Sequence, residues 1–507
     1  MMLDLPEEEE VCWIGEEFKK MKNLKILKVK NANFSTGPKY LPNSLRVLDW
    51  RGYSWPCLPS NFQPRKLGIL NLPNSCLVFN TPLQNFKSLS HVNFSGCESL
   101  IQLPDISGIP NLIELCLDDC KNLIEVHDSI GFLHKLRKLS AEGCNRLNKF
   151  PCSINLTSLE TLSLRGCKSL KKFPEILGKM EYLKDVDLGS TAIEELPYSI
   201  QNLTGLITLK LLCCGELAQL PSSIFMLPKL ESLKAASFRR CQILINDCEE
   251  EENVNFIESS EVKDLHLDEC NLSDEFLPVY LTYFPNIETL YLAKNNFTIL
   301  PSCIENCLNL ECIYLDKCKK LQQIMALPPN IKCLSAKNCI SLTSDATTLL
   351  MSQEIHETKR THFIFPGTKV PDWFDHCNKG SSVSFWFRNK FPAIAMCFVI
   401  GCLDKEPSYL RSKIHAFING KLEFGSYFDN NLRMLRDHIY LFDLQQEVVH
   451  PIYRLVKSVS EDQWAHVEIY CTSINSESPR GIVKWSGVYV YKEGNNMDDV
   501  CFLSPNP

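Results

Sequence analysis

Along roughly the first two thirds of the chain, apolar residues return in a fixed short frame. Positions one, four and six are apolar, and position nine is usually cysteine. The frame reads "LIELCLDDC" at 112–120, "LRKLSAEGC" at 136–144, "LETLSLRGC" at 159–167 and "LITLKLLCC" at 206–214. It returns as "VKDLHLDEC" at 262–270, "LECIYLDKC" at 310–318 and "IKCLSAKNC" at 331–339. Aligned on the first position, units start at Leu24, Leu45, Leu67, Leu89, Leu112, Leu136, Leu159, Leu183, Leu206, Leu230, Val262, Ile287, Leu310 and Ile331, most of them 21 to 25 residues apart. Alternation across positions four to six is the two-residue period of a strand with every second side chain inward. A unit this short cannot bury its own leucines, so units must stack and share one continuous core.

The period and the L-x-x-L-x-L-x-x-C/N order match the leucine-rich-repeat template. They predict an α/β leucine-rich-repeat solenoid over 21–343, about 14 repeats, with a parallel β-sheet on its concave face. Residues 1–20 read as an acidic lead-in, and 238–260, with its run of four acids, as an irregular excursion. The ninth position turns the chain off the strand and faces inward. Cys97, Cys120, Cys144, Cys167, Cys214, Cys270, Cys318 and Cys339 therefore read as a structural ladder, with Asn295 the usual occupant of the position and Thr191 a variant. Their spacing is the repeat period, not a zinc-ligand pair, and a buried thiol lacks the neighbouring base that nucleophilic catalysis needs. Leu-Pro or Phe-Pro pairs at 103–104, 150–151, 173–174, 196–197, 220–221 and 300–301 end pairing and set the convex side.

The outward positions are the third, fifth, seventh and eighth. The fifth position places His266, Tyr291 and Tyr314 in one column of neighbouring repeats, with Asp264, Asp268 and Glu269 nearby. Clustered aromatics on an open face suit a protein contact.

The leucine pattern stops near Leu342, and 344–360 reads as a short helix or linker. Residues 361–507 carry short β-branched and aromatic runs separated by polar turns: "AIAMCFVIGCL", "KIHAFING", "DHIYLFDL", "WAHVEIYCTS" and "GIVKWSGVYVYKE". That pattern predicts a separate all-β domain, an antiparallel sandwich or a jelly roll. His438, His450 and His466 have no metal spacing, and neither G-x-S-x-G nor H-E-x-x-H occurs. The expectation is a binding protein, not an enzyme, that takes no cofactor.

Composition adds limits. The net charge of −7 gives no footprint for nucleic acid. The start, "MMLDLPEEEE", is not a secretory signal, and the longest apolar run, "FPAIAMCFVIGCL" at 391–403, is too short to span a bilayer. The 25 cysteines then suit reduced thiols in a cytoplasmic chain, with the nucleus as a second address. Glycan-type triplets such as "NLT" at 155 and 202 leave an extracellular receptor as a weaker alternative.

Longer stretches carry a family likeness. Residues 16–77, with "LPNSLRVLDW" and "LGILNLPNS", resemble the opening of the repeat region in plant TIR-type nucleotide-binding leucine-rich-repeat (TIR-NBS-LRR) disease-resistance proteins. "PGTKVPDWFDHCNKGSSVSFWF" at 366–387 is similar to the start of their post-repeat jelly-roll/Ig-like domain, and "DHIYLF" and "WSGVYVYKE" to its later landmarks. The resemblance implies a jelly-roll/Ig-like sandwich after the solenoid. It implies effector contacts on the concave repeats and on loops of the last domain. It also implies a partner that is a pathogen effector or a guarded host protein. Pro366, Gly367, Pro371, Trp373 and Phe374 would then be structural, fixing a turn and anchoring the domain. No P-loop occurs, since "GKMEYL" at 178–183 lacks the upstream glycine and the Ser/Thr. Nucleotide switching and NAD cleavage therefore do not carry over, and nucleotide-binding and TIR domains are expected only as parts of a longer receptor. The implied role is ligand sensing in the defence response. The alternatives are a generic intracellular repeat scaffold and a truncated decoy or adaptor.

Overall fold

A computed structural model describes the chain except residues 80–81, 84–85, 238–241, 244–259, 360, 403–407, 410, 429–432, 445–462, 475–480 and 505–507. The chain divides into two compact units, Met1–Cys270 and Asn271–Pro507.

In the first unit each repeat gives one short strand over positions three to five, and successive strands pair parallel and in register. Leu115, for example, lies between Val92 and Leu139. Positions four and six are sealed: Leu115, Leu117, Leu139, Ala141, Leu162 and Leu164 are at most 1% exposed. Each such side chain meets its equivalents one repeat before and after, so burial repeats without a new packing problem. The acidic start is not a bare lead-in: Met2–Val11 forms a strand parallel to Ile26–Phe34, with a register shift between Asp4 and Glu9. Of the expected excursion, the strand Gln242–Ile243 pairs with Gln219–Leu220. Apart from these two residues and Ser260, the 238–260 stretch lies outside the described residues.

The turn after the strand has a strict rule. The eighth residue has positive φ in every repeat, from Asn31 (57°), Gly52 (71°) and Asn74 (56°) to Lys294 (58°), Lys317 (62°) and Asn338 (59°). This left-handed residue turns the chain so that the ninth side chain enters the wall. Its N–H bonds the seventh carbonyl of the next repeat, as in Asp119 to Glu142 and Gly143 to Arg165. The eighth position is therefore fixed by backbone conformation as well as lying outward. On the convex side, Pro197, Pro221 and Pro301 are extended and start short 3-10 turns. A proline there has no N–H to leave unpaired.

The second unit holds the last repeats and the sandwich. Thr289–Tyr291, Cys312–Tyr314 and Cys333–Ser335 pair parallel, and Cys333–Ser335 then pairs parallel with His362–Pro366. The inner sheet thus passes directly into the sandwich. The 344–360 stretch forms two short helices, Ser344–Leu350 and Gln353–Lys359, the first capped by the Thr343 hydroxyl accepting from the Ala346 N–H. From His362–Pro366 an antiparallel sheet continues through His438–Asp443, Ile394–Cys402, Gly481–Val490 and His376–Lys379. A second antiparallel sheet orders Lys421–Phe428, Arg411–Ile418, Ala465–Ile474, Ser382–Phe387 and Val500–Cys501. Both sheets contribute to one core, in which Phe385, Phe398, Ile414, Tyr440 and Val467 are at most 1% exposed.

Candidate interaction surface on the inner sheet

Stacking leaves the third and fifth side chains of every repeat as parallel columns on the open face. In the first unit these columns are polar and largely self-compensated. Asp49 accepts from Asn71 Nδ2 at 2.7 Å and lies 3.9 Å from Lys28 Nζ. Lys210 pairs with Asp185 at 2.8 Å, and His91 lies 4.0 Å from Glu114. Asp118 takes the Ser140 hydroxyl at 2.5 Å and the Cys116 thiol at 3.0 Å. A shallow hollow of about 340 Å³ runs between Lys28, Asp49, Asn71, His91, Glu114 and Lys138. Such exposed pairs add little stability, so they are free to be rearranged by a partner.

The aromatic column expected from the sequence falls in two separately described units. His266 stands in the first, in register with Lys234. Burial, and then the Lys234 charge, push its pKa down to about 4, so it is neutral near pH 7. Asp264 and Asp268 are half-buried, and Glu269 is exposed on the left-handed turn, with φ of 58°. Tyr291 and Tyr314 stand in the second unit in direct register, their rings stacked at 4.6 Å and 11°. Both are half-buried and form a shelf, not two freely exposed rings. Beside them the Asp316 carboxylate is pinned by the Ser335 hydroxyl at 2.5 Å and the Lys337 N–H at 3.0 Å.

The ladder cysteines are buried, and each donates Sγ–H to the sixth-position carbonyl of the repeat before it. Cys97 reaches Leu72 at 3.3 Å, Cys120 Phe94, Cys144 Leu117, Cys167 Ala141, Cys214 Leu188, Cys270 Ala235 and Cys318 Leu292 at 3.1 Å, and Cys339 Leu315 at 3.0 Å. Burial pushes the Cys97 and Cys167 thiols up to about 12. Asn295 works differently: its Nδ2 donates to Leu292 O at 2.8 Å and its Oδ1 accepts from Leu272 N at 3.1 Å. The Thr191 hydroxyl donates to Leu188 O at 2.8 Å. Among the described residues no three His, Cys, Asp or Glu side chains gather to hold a metal ion. No helix among them is long and apolar enough to cross a membrane.

In the sandwich, Pro366 and Pro371 are buried, and a Cβ on Gly367 would meet Ile439 Cδ1 at 2.4 Å. Trp373 donates its indole N–H to Met351 O at 2.7 Å and packs with Phe374 against Tyr489. Two residues that no local pattern marks as a pair form the polar seam between repeat and sandwich. The Asn338 N–H donates to His438 Nε2 at 2.9 Å, and Asn338 Oδ1 accepts from Leu435 N at 3.0 Å. The other ring nitrogen of His438 donates to Arg436 O at 2.8 Å. The residue type was the available signal for Asn338, an asparagine at the eighth position being at ease with the positive φ found there; nothing local marked His438.

Comparisons with known proteins find leucine-rich-repeat and disease-resistance matches. A family model described as "Disease resistance protein RPS4B-like, leucine-rich repeats" matches residues 155–351. The TMV resistance protein N of Nicotiana glutinosa is 29% identical over 77% of this chain and 42% of its own length. Disease resistance protein RPS4B of Arabidopsis thaliana is 26% identical over 80% of this chain and 36% of its own. The chain thus spans about two fifths of the length of such relatives. A solved leucine-rich-repeat protein of Leptospira interrogans aligns over 68% of this chain and 97% of its own at 23% identity, with a TM-score of 0.38.

Proposed function

Starting from a leucine-rich-repeat chain related to plant TIR-NBS-LRR disease-resistance proteins, we propose that it is the ligand-sensing part of an intracellular immune receptor. Its partner on this reading is a pathogen effector or a host protein that an effector modifies. The C-terminal sandwich is the jelly-roll/Ig-like module of that receptor class, and the chain acts by binding, with no catalytic step and no cofactor of its own. The nucleotide-binding and TIR domains of such a receptor would lie elsewhere in a longer protein.

The observation that carries the reading is the similarity to disease-resistance proteins over most of the chain. The geometry supports a contact at the Tyr291–Tyr314 shelf. The two rings are pre-stacked, so a partner loses little side-chain entropy in using them, and Asp316 beside them is already oriented. Stacked aromatics of this kind commonly supply the energetic centre of a contact.

The test is calorimetric titration of purified effectors, and of candidate host proteins, into the full chain. A true partner should bind wild type and lose about 30-fold or more in affinity in a Tyr291→Ala, Tyr314→Ala double variant, from about 2 kcal/mol or more for paired hot-spot rings. Tyr182→Ala, an exposed tyrosine on another repeat, should bind as wild type. A partner unaffected by the double variant would remove the shelf from the reading. Absence of any effector or host-protein binding across such a panel would remove the sensing role.

A further inference from the structure

Cys312 and Cys333 occupy the same outward third position in consecutive repeats, and their strands pair in register, so each is the other's direct neighbour. Adjacent strands lie about 4.8 Å apart, inside the Cα separation a disulfide spans, about 4.4–6.8 Å. Both side chains are half-buried, unlike the sealed ladder thiols. The two side chains face each other closely enough for each to shift the other's titration, Cys312 upward and Cys333 downward. Tyr314 Oη lies 3.9 Å from Cys333 Sγ and can donate to it once it ionises. That tyrosine is held in place by its stack on Tyr291.

The surroundings do not cancel this arrangement. Glu311 is paired with Lys332 at 2.5 Å. Asp316 is engaged by Ser335 and by the Lys337 N–H, while the Lys337 ammonium favours the Cys333 thiolate. His362, in register on the far side of Cys333, is kept neutral by burial. The Cys333 side chain, and then burial, raise the Cys312 thiol, and burial raises Cys303 and Cys307, whereas the Cys312 side chain, with Tyr314, holds Cys333 below the ordinary thiol range.

We propose that Cys333 and Cys312 form a hydroperoxide-reactive thiol pair on the inner sheet, with Cys333 the attacking nucleophile and Cys312 the resolving thiol. The Cys333 thiolate attacks the outer oxygen of a hydroperoxide. The O–O bond breaks, Cys333 becomes a sulfenic acid, and the alcohol or water leaves with the thiol's proton. The Cys312 sulfur then attacks the sulfenic sulfur. An S–S bond forms, the S–O bond breaks and water leaves. The two thiols have lost two electrons and the peroxide has gained them. The thiolate is the species that reacts, so a thiol held below its ordinary range is what the first step needs.

The test uses the full chain, hydrogen peroxide and peptide mass spectrometry. Trypsin releases Cys333 alone in 333–337 and Cys312 in 295–317. At pH 7, iodoacetamide should label Cys333 at least about threefold faster than the exposed Cys152 and Cys377, because a larger fraction is thiolate. Its pH profile should be shifted to lower pH, and Tyr314→Phe should slow it and move the profile back up. Peroxide should join 333–337 to 295–317 with the loss of two hydrogens, fragment ions placing the link at Cys312. In Cys312→Ser no link should form, and dimedone should instead trap Cys333 sulfenic acid. Labelling of Cys333 no faster than Cys152, or peroxide treatment that leaves the pair unlinked while oxidising other cysteines, would overturn the proposal.

Discussion

Replacing His438 with glutamine tests the seam that joins the last repeat to the sandwich. The His438 ring is 1% exposed, donates through Nδ1 to Arg436 O and accepts at Nε2 from the Asn338 N–H. Protonation would turn that acceptor into a donor facing another donor. Burial accordingly lowers its pKa to about 4, against about 6.5 in an unfolded chain. A folded pKa below the unfolded one means the native state resists protonation. The contribution is complete above about pH 6.5 and is lost as pH falls from there towards 4. Between those limits one such histidine changes stability by about 1.4 kcal/mol per pH unit, so going from pH 7.5 to 5.5 removes about 1.3 kcal/mol. His356 and His362 are pushed down to about 4 by burial as well, and other groups also titrate. A difference between proteins isolates His438. Urea unfolding of wild type and His438→Gln, run at steps from pH 7.5 to 5.0, should show wild type losing about 1.3 kcal/mol relative to the variant by pH 5.5. At pH 7.5 the variant should be destabilised by about 1–3 kcal/mol if its amide fails to reach the Asn338 N–H. A stability difference that stays flat with pH, or grows in favour of wild type on acidification, would refute the reasoning.

Asn295→Ala should be costlier than Cys167→Ala in the same urea measurement. Asn295 satisfies both Leu292 O and Leu272 N in a buried site, a loss of about 2–4 kcal/mol, whereas Cys167 makes one weak S–H···O contact. Lys317→Gly should stabilise by up to about 1 kcal/mol, because φ of 62° strains any Cβ there. A thermal midpoint lowered by that substitution would contradict the strain argument.

The repeat frame was legible because every stacked unit sees the same surroundings: Leu115, Leu139 and Leu162 answer one packing problem three times. The ladder was legible for the same reason, down to the cysteines' inward direction. The eighth position carried a visible signal in Asn31, Gly52, Asn74, Gly96, Gly143 and Gly166, all residues at ease with positive φ. Cys213, Glu269, Lys294 and Lys317 hide it, since tertiary pairing holds them there against local preference. The joining of His362 to the Cys333 strand had no local signature. Parallel pairing carries no turn, and two helices intervene in sequence. His438 was further out of reach, 100 residues from the Asn338 it serves.

That hidden seam changes what the open face can do. Thr289–Tyr291, Cys312–Tyr314, Cys333–Ser335 and His362–Pro366 are consecutive strands of one hydrogen-bonded sheet, and His362–Pro366 pairs with the strand that bears His438. A force on the Tyr291–Tyr314 shelf therefore passes to the sandwich through backbone hydrogen bonds. Rotating the sandwich away from the last repeat would break the Cys333–His362 pairing together with the Asn338–His438 bond, and both would have to go at once. The last repeats and the sandwich are thus one hydrogen-bonded unit, and on the proposed reading a partner that grips the shelf would also engage the domain behind it.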